Sequence, residues 1–145
     1  MDCHDHEADG AEPGHLVREA KPEDLGAIMA LLRPCMQSQQ LLDRTDAEVA
    51  RLLQHGFVAD VEGTIVGFAA VEVYSKKMAE IQCLAVDSQC RNHGIGKQLI
   101  TSCVARAGEL AISEVMAITL SESLFASCGF TFSLPGQKKA LFITP

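Results

Sequence analysis

The junction at residues 84–100, LAVDSQCRNHGIGKQLI, constrains the fold of this chain more than any other segment. An apolar run ends at Val86, a polar segment with Arg91, Gly94 and Gly96 follows, and an amphipathic segment comes next. This order predicts a strand, a loop and a helix. The first turn of a helix has free backbone N–H groups that favour an anion, and glycine lacks the β-carbon that would block it. The junction therefore predicts a pyrophosphate site, with a plain loop holding two turn glycines as the alternative.

Composition limits the class of protein. A chain of 145 residues is enough for one ordinary domain, and 48% hydrophobic with 21% charged residues is typical of a globular protein. The net charge of −7, without a cluster of Lys and Arg, argues against a nucleic-acid partner. No apolar run approaches the ~18 residues that a membrane span requires, so we expect no membrane partner.

The N-terminus is acidic and lacks the pattern of a secretory signal. We therefore expect a cytoplasmic protein with a flexible polar tail at residues 1–15 and one folded domain at residues 16–145. The six cysteines include no C-x-x-C pair, which favours reduced thiols that pack mainly as small hydrophobic side chains. No metal site is expected, because Cys3, His4 and His6 lie in the tail without fixed geometry.

Hydrophobic periodicity predicts a mixed α/β protein. One helix is expected to begin near Pro22 and end at Pro34, a second to be capped by Thr45 and Glu48, and two more to lie near residues 95–110 and 121–127. Strands are predicted at residues 16–20, 57–61, 64–74, 79–86, 114–119, 130–133 and 140–143. This order of elements predicts a mixed central sheet of about seven strands with helices on both faces.

Several runs resemble the GNAT family of N-acetyltransferases. CLAVDSQCRNHGIGKQLI is similar to the family's coenzyme A loop, in which a Gln or Arg and two small residues have the spacing of Arg91, Gly94 and Gly96. REAKPEDLGAI, FVADVEGTIVGFAAV and SLFASCGF extend the likeness over residues 16–143. The resemblance implies the GNAT fold, acetyl-CoA as the acetyl donor, and direct attack of an amine in a ternary complex.

The same resemblance implies where the coenzyme binds. A local separation of neighbouring strands would leave backbone groups of residues 84–86 available to the pantetheine arm and the thioester. The glycine loop would hold the diphosphate. The implied coenzyme-binding residues are Leu84, Ala85, Val86, Arg91, Asn92, His93, Gly94, Ile95, Gly96 and Lys97.

A narrower likeness concerns the acceptor. LLRPCMQSQQLLDRT and AEIQCLAV are similar to the acetyltransferase domain of N-acetylglutamate synthases, although Gln39 stands where that pattern has a glycine. The likeness implies that the Arg44 guanidinium holds an amino-acid carboxylate, so the acceptor would be glutamate or a related small amino acid. Capping the end of the first helical segment or pairing with Asp46 are the alternative roles of Arg44.

Acetyl transfer needs a group that removes a proton from the amine. Glu80 is the expected general base, because it resembles the glutamate that the synthase-like members place on the same strand. A solvated ion pair with Lys76 or Lys77 is the alternative role of Glu80. Glu72, one strand earlier, is the reserve candidate.

The departing thiolate needs a second group. Many family members have a tyrosine at the position of Phe125, and phenylalanine cannot donate a proton. Ser121 or Thr119 is therefore expected to hydrogen-bond the sulfur, with water relaying the proton. The alternative role of Ser121 is that of a helix N-cap. The chain's single tyrosine is Tyr74.

Two rival functions stay open at this point. The acceptor could be another small amine, such as a polyamine or a drug, or a protein terminus. The chain could also bind acyl-CoA as a sensor without turnover, a hypothesis that the missing phenol favours and Glu80 opposes. We expect a homodimer, since pairing of two subunits through the last strands is common in the family.

Overall fold

Five strands and four α-helices make up the part of the chain that this computed structural model describes, residues 14–132, 136 and 138–145. In chain order they are β1 (Leu16–Glu19), α1 (Leu25–Gln37), α2 (Asp46–Leu52), β2 (Gly56–Val61), β3 (Thr64–Val73), β4 (Met78–Val86), α3 (Ile95–Glu109), β5 (Glu114–Met116) and α4 (Glu122–Ser127). The strands form one sheet in the order β1-β2-β3-β4-β5. All neighbours are antiparallel except β4 and β5, which are parallel, so the sheet is mixed as predicted.

The local signals in the sequence account for several of these elements. Glu62 and Gly63 have φ angles of 52° and 91°, which suits the tight turn of the predicted β2–β3 hairpin. The predicted capping box of α2 is confirmed: the Glu48 N–H donates to Thr45 Oγ1 at 3.1 Å, and the Thr45 N–H donates to Glu48 Oε1 at 2.8 Å.

The predicted end of α1 at Pro34 is wrong, because the helix continues to Gln37. A proline removes one backbone donor but leaves its own carbonyl free to accept. The Ser38 N–H donates to Pro34 O at 3.0 Å and so completes the last turn. Cys35 and Met36, after the proline, pack against the core, which also favours the longer helix.

The core has two layers, one on each face of the sheet. On one face, α1 and α2 pack through Ile28, Leu32 and Val49 against Val58 and Phe68. On the other face, α3 and α4 cover the sheet. Their buried side chains include Ile95, Leu99, Ile100, Cys103 and Phe125. The expectation of helices on both faces is therefore confirmed. None of the helices in the described residues has the length and apolar character to span a bilayer.

The prediction of about seven strands is wrong for the described residues, which contain five. Residues 130–132 and 140–143 are not strands, and Ser133 lies outside the described residues, as does the predicted tail up to residue 13. Phe130 packs edge to face on Phe125 at a centroid distance of 5.1 Å instead of entering the sheet. The Leu141 side chain is 90% exposed, so nothing among the described residues buries it. Alternating apolar residues form a strand only where a partner edge is present.

Candidate active site

A cleft of about 670 Å³ opens beside the second half of β4. The parallel pairing of β4 with β5 runs only from Met78 to Glu80, so the two strands separate after Glu80. The separation that the family resemblance implied is therefore present in the structure. The walls of the cleft come from Ile81, Cys83, Leu84, Ala85 and Val86 on β4 and from Ile118, Thr119, Leu120 and Ser121 after β5.

A β-bulge lies on β4 at the middle of this cleft. Cys83 and Leu84 together stand opposite the single residue Ala69 of β3. Cys83 has a φ of 61°, a left-handed conformation that is uncommon outside glycine. The extra residue reverses which side chains face which layer of the core, so that Ile81 packs with α3 and Cys83 packs with α1. Sequence alternation alone gives no sign of such a bulge.

The glycine loop delivers backbone donors to the floor of the cleft. Gly94 is the N-cap of α3 and has a φ of 79°, which favours glycine. The first intrahelical bond runs from the Gln98 N–H to Gly94 O at 3.0 Å, so the preceding three N–H groups, those of residues 95–97, have no acceptor within the helix. Gly94 and Gly96 are needed for different reasons, since the first has a left-handed backbone and the second has little room for a side chain. A β-carbon on Gly96 would lie 3.1 Å from Leu124 Cδ2, so its absence also lets α4 pack closely.

Nine of the ten predicted coenzyme-binding residues line this cleft together. Arg91 and Lys97 supply its positive charge, and the Arg91 Nε donates to the Val86 carbonyl at 3.4 Å. His93 does not line the cleft, and its Nδ1 lies 3.3 Å from Cys90 O. No group of three or more His, Cys, Asp or Glu side chains that could hold a metal ion occurs in residues 14–132, 136 and 138–145.

Ser121 and Thr119 lie on the wall of the cleft opposite β4. The Ser121 N–H donates to Thr119 Oγ1 at 2.8 Å, which fixes the turn before α4. Ser121 occupies the N-cap position, but its hydroxyl makes no capping bond. Ser121 is also exposed, so its hydroxyl is accessible from the cleft. Phe125 also lines the cleft and is only 4% exposed.

Glu80 lies on β4 in a buried polar cluster. The carboxylate is 8% exposed and accepts hydrogen bonds from the Tyr74 hydroxyl at 2.6 Å and from Gln82 Nε2 at 3.0 Å. It pairs with neither Lys76 nor Lys77, so the alternative role of a solvated ion pair does not hold. Both donors are neutral groups, so neither supplies a counter-charge to the carboxylate.

Arg44 reaches the same cluster from the segment before α2. Its guanidinium donates to Gln82 Oε1, while Gln82 Nε2 also donates to Glu72 Oε1 at 2.9 Å. Among the described residues, its guanidinium neither pairs with Asp46 nor caps α1, which were its two alternative roles. Arg44 and Glu72 line a second cavity of about 160 Å³. We call the five side chains of Arg44, Glu72, Tyr74, Glu80 and Gln82 the polar cluster.

The sequence reasoning missed two members of the polar cluster, Tyr74 and Gln82. A signal for them existed: Glu72 and Tyr74 on one strand, and Glu80 and Gln82 on the next, keep the period of two that places side chains on one face. Glu72 and Glu80 are direct partners across the β3–β4 pair. Four polar residues on one face of a hairpin's neighbouring strands predict a buried polar site when helices cover that face.

The thiols in this region are poor nucleophiles. Burial raises the pKa of Cys83 to about 11, so the side chain stays protonated at neutral pH. Burial, followed by the charge of Asp87, also raises the pKa of Cys90. Burial likewise raises the pKa of Tyr74 to about 12, with the hydrogen bond to Glu80 as the next cause. The site therefore favours direct transfer to an amine over an acyl-cysteine route.

Comparisons with known proteins identify the class of this fold and site. The sequence profile described as the Acetyltransferase (GNAT) family matches residues 25–131. An uncharacterised N-acetyltransferase of Chlorobaculum tepidum is 32% identical over 114 residues, which is 79% of this chain and 74% of that protein. The amino-acid acetyltransferase of Edwardsiella ictaluri is 28% identical over 137 residues, 90% of this chain and 31% of that protein.

One solved structure adds a bound coenzyme. The N-acetylglutamate synthase of Neisseria gonorrhoeae, complexed with coenzyme A and N-acetyl-glutamate, has a TM-score of 0.72 and 26% identity, covering 80% of this chain and 28% of that chain. This chain belongs to the GNAT acetyltransferase family and is an acetyl-CoA-dependent N-acetyltransferase. It spans less than a third of the two amino-acid-acetylating proteins named here, with shares of 31% and 28%.

Proposed function

We propose that this enzyme transfers the acetyl group of acetyl-CoA to the α-amino group of glutamate or a related small amino acid. The observation that carries the proposal is the contact of Gln82 with both Arg44 and Glu80. This contact connects a guanidinium suited to a carboxylate with a carboxylate suited to removing a proton. A relative named amino-acid acetyltransferase and a similar structure with N-acetyl-glutamate support the same acceptor class.

The donor half of the proposed site is the cleft beside β4. The three N–H groups at the start of α3, together with Arg91 and Lys97, would hold the diphosphate. The backbone of residues 84–86 would accompany the pantetheine arm, because the separation of β5 leaves that edge without a strand neighbour. A cleft of about 670 Å³ has room for the coenzyme's diphosphate and pantetheine arm.

The acceptor half of the proposed site is the polar cluster. Arg44 would bind the acceptor's carboxylate, and Glu80 would accept a proton from its ammonium group, directly or through one water molecule. The neutral amine then attacks the thioester carbonyl carbon and forms the carbon–nitrogen bond. The carbon–sulfur bond breaks with its electron pair leaving on the thiolate sulfur, and the second proton lost from the nitrogen passes through water to that sulfur. Backbone N–H groups near the bulge would stabilise the charge that develops on the carbonyl oxygen.

The departing sulfur would lie near Ser121 and Thr119. The Ser121 hydroxyl makes no capping bond and faces the same cleft as Phe125, whose ring offers no proton. A hydroxyl is a weak acid, so we assign to Ser121 a hydrogen bond to the thiolate, with water as the proton source.

We also propose one domain over residues 16–145, a cytoplasmic location and a homodimer.

The test is release of free thiol from acetyl-CoA in the presence of single amines. We expect release with glutamate or a closely related amino acid, and little with polyamines or a peptide terminus. Release with those other amines alone would replace the proposed acceptor. Tight acetyl-CoA binding without any amine-dependent release would instead support a sensor and overturn the enzymatic proposal.

Two substitutions test the residue roles within that assay. Glu80→Gln should lower kcat by at least the ~10²-fold that general base catalysis contributes, while leaving coenzyme binding intact. Arg44→Ala should raise the acceptor KM more than the acetyl-CoA KM. Arg33→Ala, which removes an exposed arginine from α1, is the matched control and should change neither constant. Equal rises of both KM values in Arg44→Ala would contradict carboxylate recognition.

A further inference from the structure

Two donors converge on a single oxygen of Glu80. The Tyr74 hydroxyl lies 2.6 Å from Glu80 Oε1, and Gln82 Nε2 lies 3.0 Å from the same atom. Among the described residues, Glu80 Oε2 accepts no hydrogen bond. The carboxylate is therefore fixed through one oxygen, while the other keeps its lone pairs for an incoming amine or water.

The position of Tyr74 suits this task. The residue is 52% exposed, yet its hydroxyl turns inward to a carboxylate that is 8% exposed. Tyr74 therefore lies at the boundary between solvent and the buried carboxylate. A hydrogen bond to a charged group is stronger in such a partly buried site than in water.

We propose that Tyr74 is a positioning residue that holds Glu80 through Oε1 and directs Oε2 toward the acceptor. This inference rests on the proposed role of Glu80 as the base. Gln82 provides the second contact and also separates Glu80 from Glu72 across the strand pair, since its amide donates to both carboxylates. Tyr74 thus acts through Glu80 and need not touch the substrate.

Other charged groups near Glu80 set the background for any pH measurement. Glu72 faces it from β3, and Arg44 reaches the cluster from the segment before α2. Glu48 of α2 lines the neighbouring cavity with Arg44 and Glu72. The Cys83 thiol follows on the same strand, and burial raises its pKa to about 11, so it stays neutral over the working range. Tyr74→Phe leaves all of these groups in place.

The first experiment compares the pH dependence of kcat and kcat/KM in the wild type, Tyr74→Phe and Thr64→Val. Loss of the Tyr74 hydrogen bond to the carboxylate should shift the acid limb of the Tyr74→Phe profile relative to the wild type. The KM for acetyl-CoA should not change. Thr64→Val, which removes an exposed hydroxyl from the hairpin end of the same strand, should leave the profile unchanged. An unmoved acid limb in Tyr74→Phe overturns the proposal.

A double variant separates positioning from a general structural effect. If Tyr74 acts through Glu80, then Tyr74→Phe should cause no further loss of kcat in a Glu80→Gln background. If the two losses multiply as independent effects, the proposal is wrong. Thermal unfolding of each variant should show folded protein at the assay temperature, since Tyr74→Phe keeps the ring.

A spectroscopic experiment tests the contact without turnover. The chain has one tyrosine and no tryptophan, so the tyrosinate absorbance reports Tyr74 alone. The pKa of Tyr74 is about 12, and in Glu80→Gln it should fall toward its ordinary value, with circular dichroism confirming that the protein stays folded. Equal pKa values in the two proteins would disprove the contact. If the contact is confirmed but no amine supports thiol release, the proposed function fails and the contact itself stands.

Discussion

Gly94 at the entry to α3 offers the sharpest test of how the coenzyme loop is built. A β-carbon there would meet no atom within 4 Å, so Gly94→Ala introduces no steric clash. Its φ of 79° is a left-handed conformation, which costs an alanine about 1–2 kcal/mol. The smaller conformational freedom of unfolded alanine returns about 0.5–1 kcal/mol. Gly94→Ala should therefore lower the free energy of unfolding by about 1 kcal/mol.

The same substitution should weaken coenzyme binding. If the loop leaves the left-handed conformation in the free variant, the coenzyme must restore it, and this costs up to 1–2 kcal/mol, about tenfold in Kd. Urea unfolding measures the first effect, and isothermal calorimetry with coenzyme A measures the second. At the same coenzyme concentration, coenzyme A should therefore stabilise the variant less than the wild type, so the difference between their free energies of unfolding should widen.

Gly108 near the end of the same helix provides the matched control. It is exposed, a β-carbon there meets no atom within 4 Å, and its backbone is helical. Gly108→Ala should therefore raise the free energy of unfolding by about 0.5–1 kcal/mol and leave coenzyme affinity unchanged. If Gly94→Ala also stabilised the protein, the conformational argument for the loop would be refuted. Unchanged affinity alongside unchanged stability would refute it as well.

Two further predictions concern stability. The Asp24 carboxylate accepts hydrogen bonds from both terminal nitrogens of Arg18, at 2.9 and 3.1 Å. This contact lowers the pKa of the Asp24 carboxyl group. The stabilisation is therefore present above the ordinary carboxyl pKa and is lost as the pH falls through the lowered pKa. Asp24→Asn should lower the free energy of unfolding by about 2 kcal/mol at neutral pH. It should also flatten the acid side of the plot of stability against pH. Gln39 has a φ of 63°, so Gln39→Gly should raise the free energy of unfolding by about 0.5 kcal/mol, whereas Ser38→Gly, at a φ of −88°, should lower it in urea titrations.

The cleft that forms the proposed donor half was predictable because its parts are contiguous in the sequence. A strand, a loop with glycines at two positions and an amphipathic helix follow one another within residues 84–100, and each has its own local signal. Nine of the ten predicted residues line one cleft. The exception, His93, illustrates the limit of such reasoning: a loop pattern predicts which segment meets the ligand but not where each side chain points.

The strand count was less predictable for a physical reason. Residues 140–143 have the apolar character of a strand, yet Phe142 is 77% exposed and Ile143 is 90% exposed. A strand is stable only when its backbone groups find a partner edge. Local sequence specifies the preference but not the partner, so the same pattern describes both a paired strand and an unpaired segment.

The acceptor half was only partly predictable because it forms across the chain. Arg44 and Gln82 meet although 38 positions separate them, and a family likeness pointed to Arg44 but not to its partner. Gln82 connects Arg44 with Glu80. Its amide oxygen accepts a hydrogen bond from Arg44, and its amide nitrogen donates one to Glu80. In the proposed site, a carboxylate bound at Arg44 would share the guanidinium with the Gln82 oxygen, since the guanidinium has five N–H donors. Gln82 would therefore join the proposed carboxylate-binding residue to the proposed base, so that an amine carrying a carboxylate could engage both ends of one connected cluster.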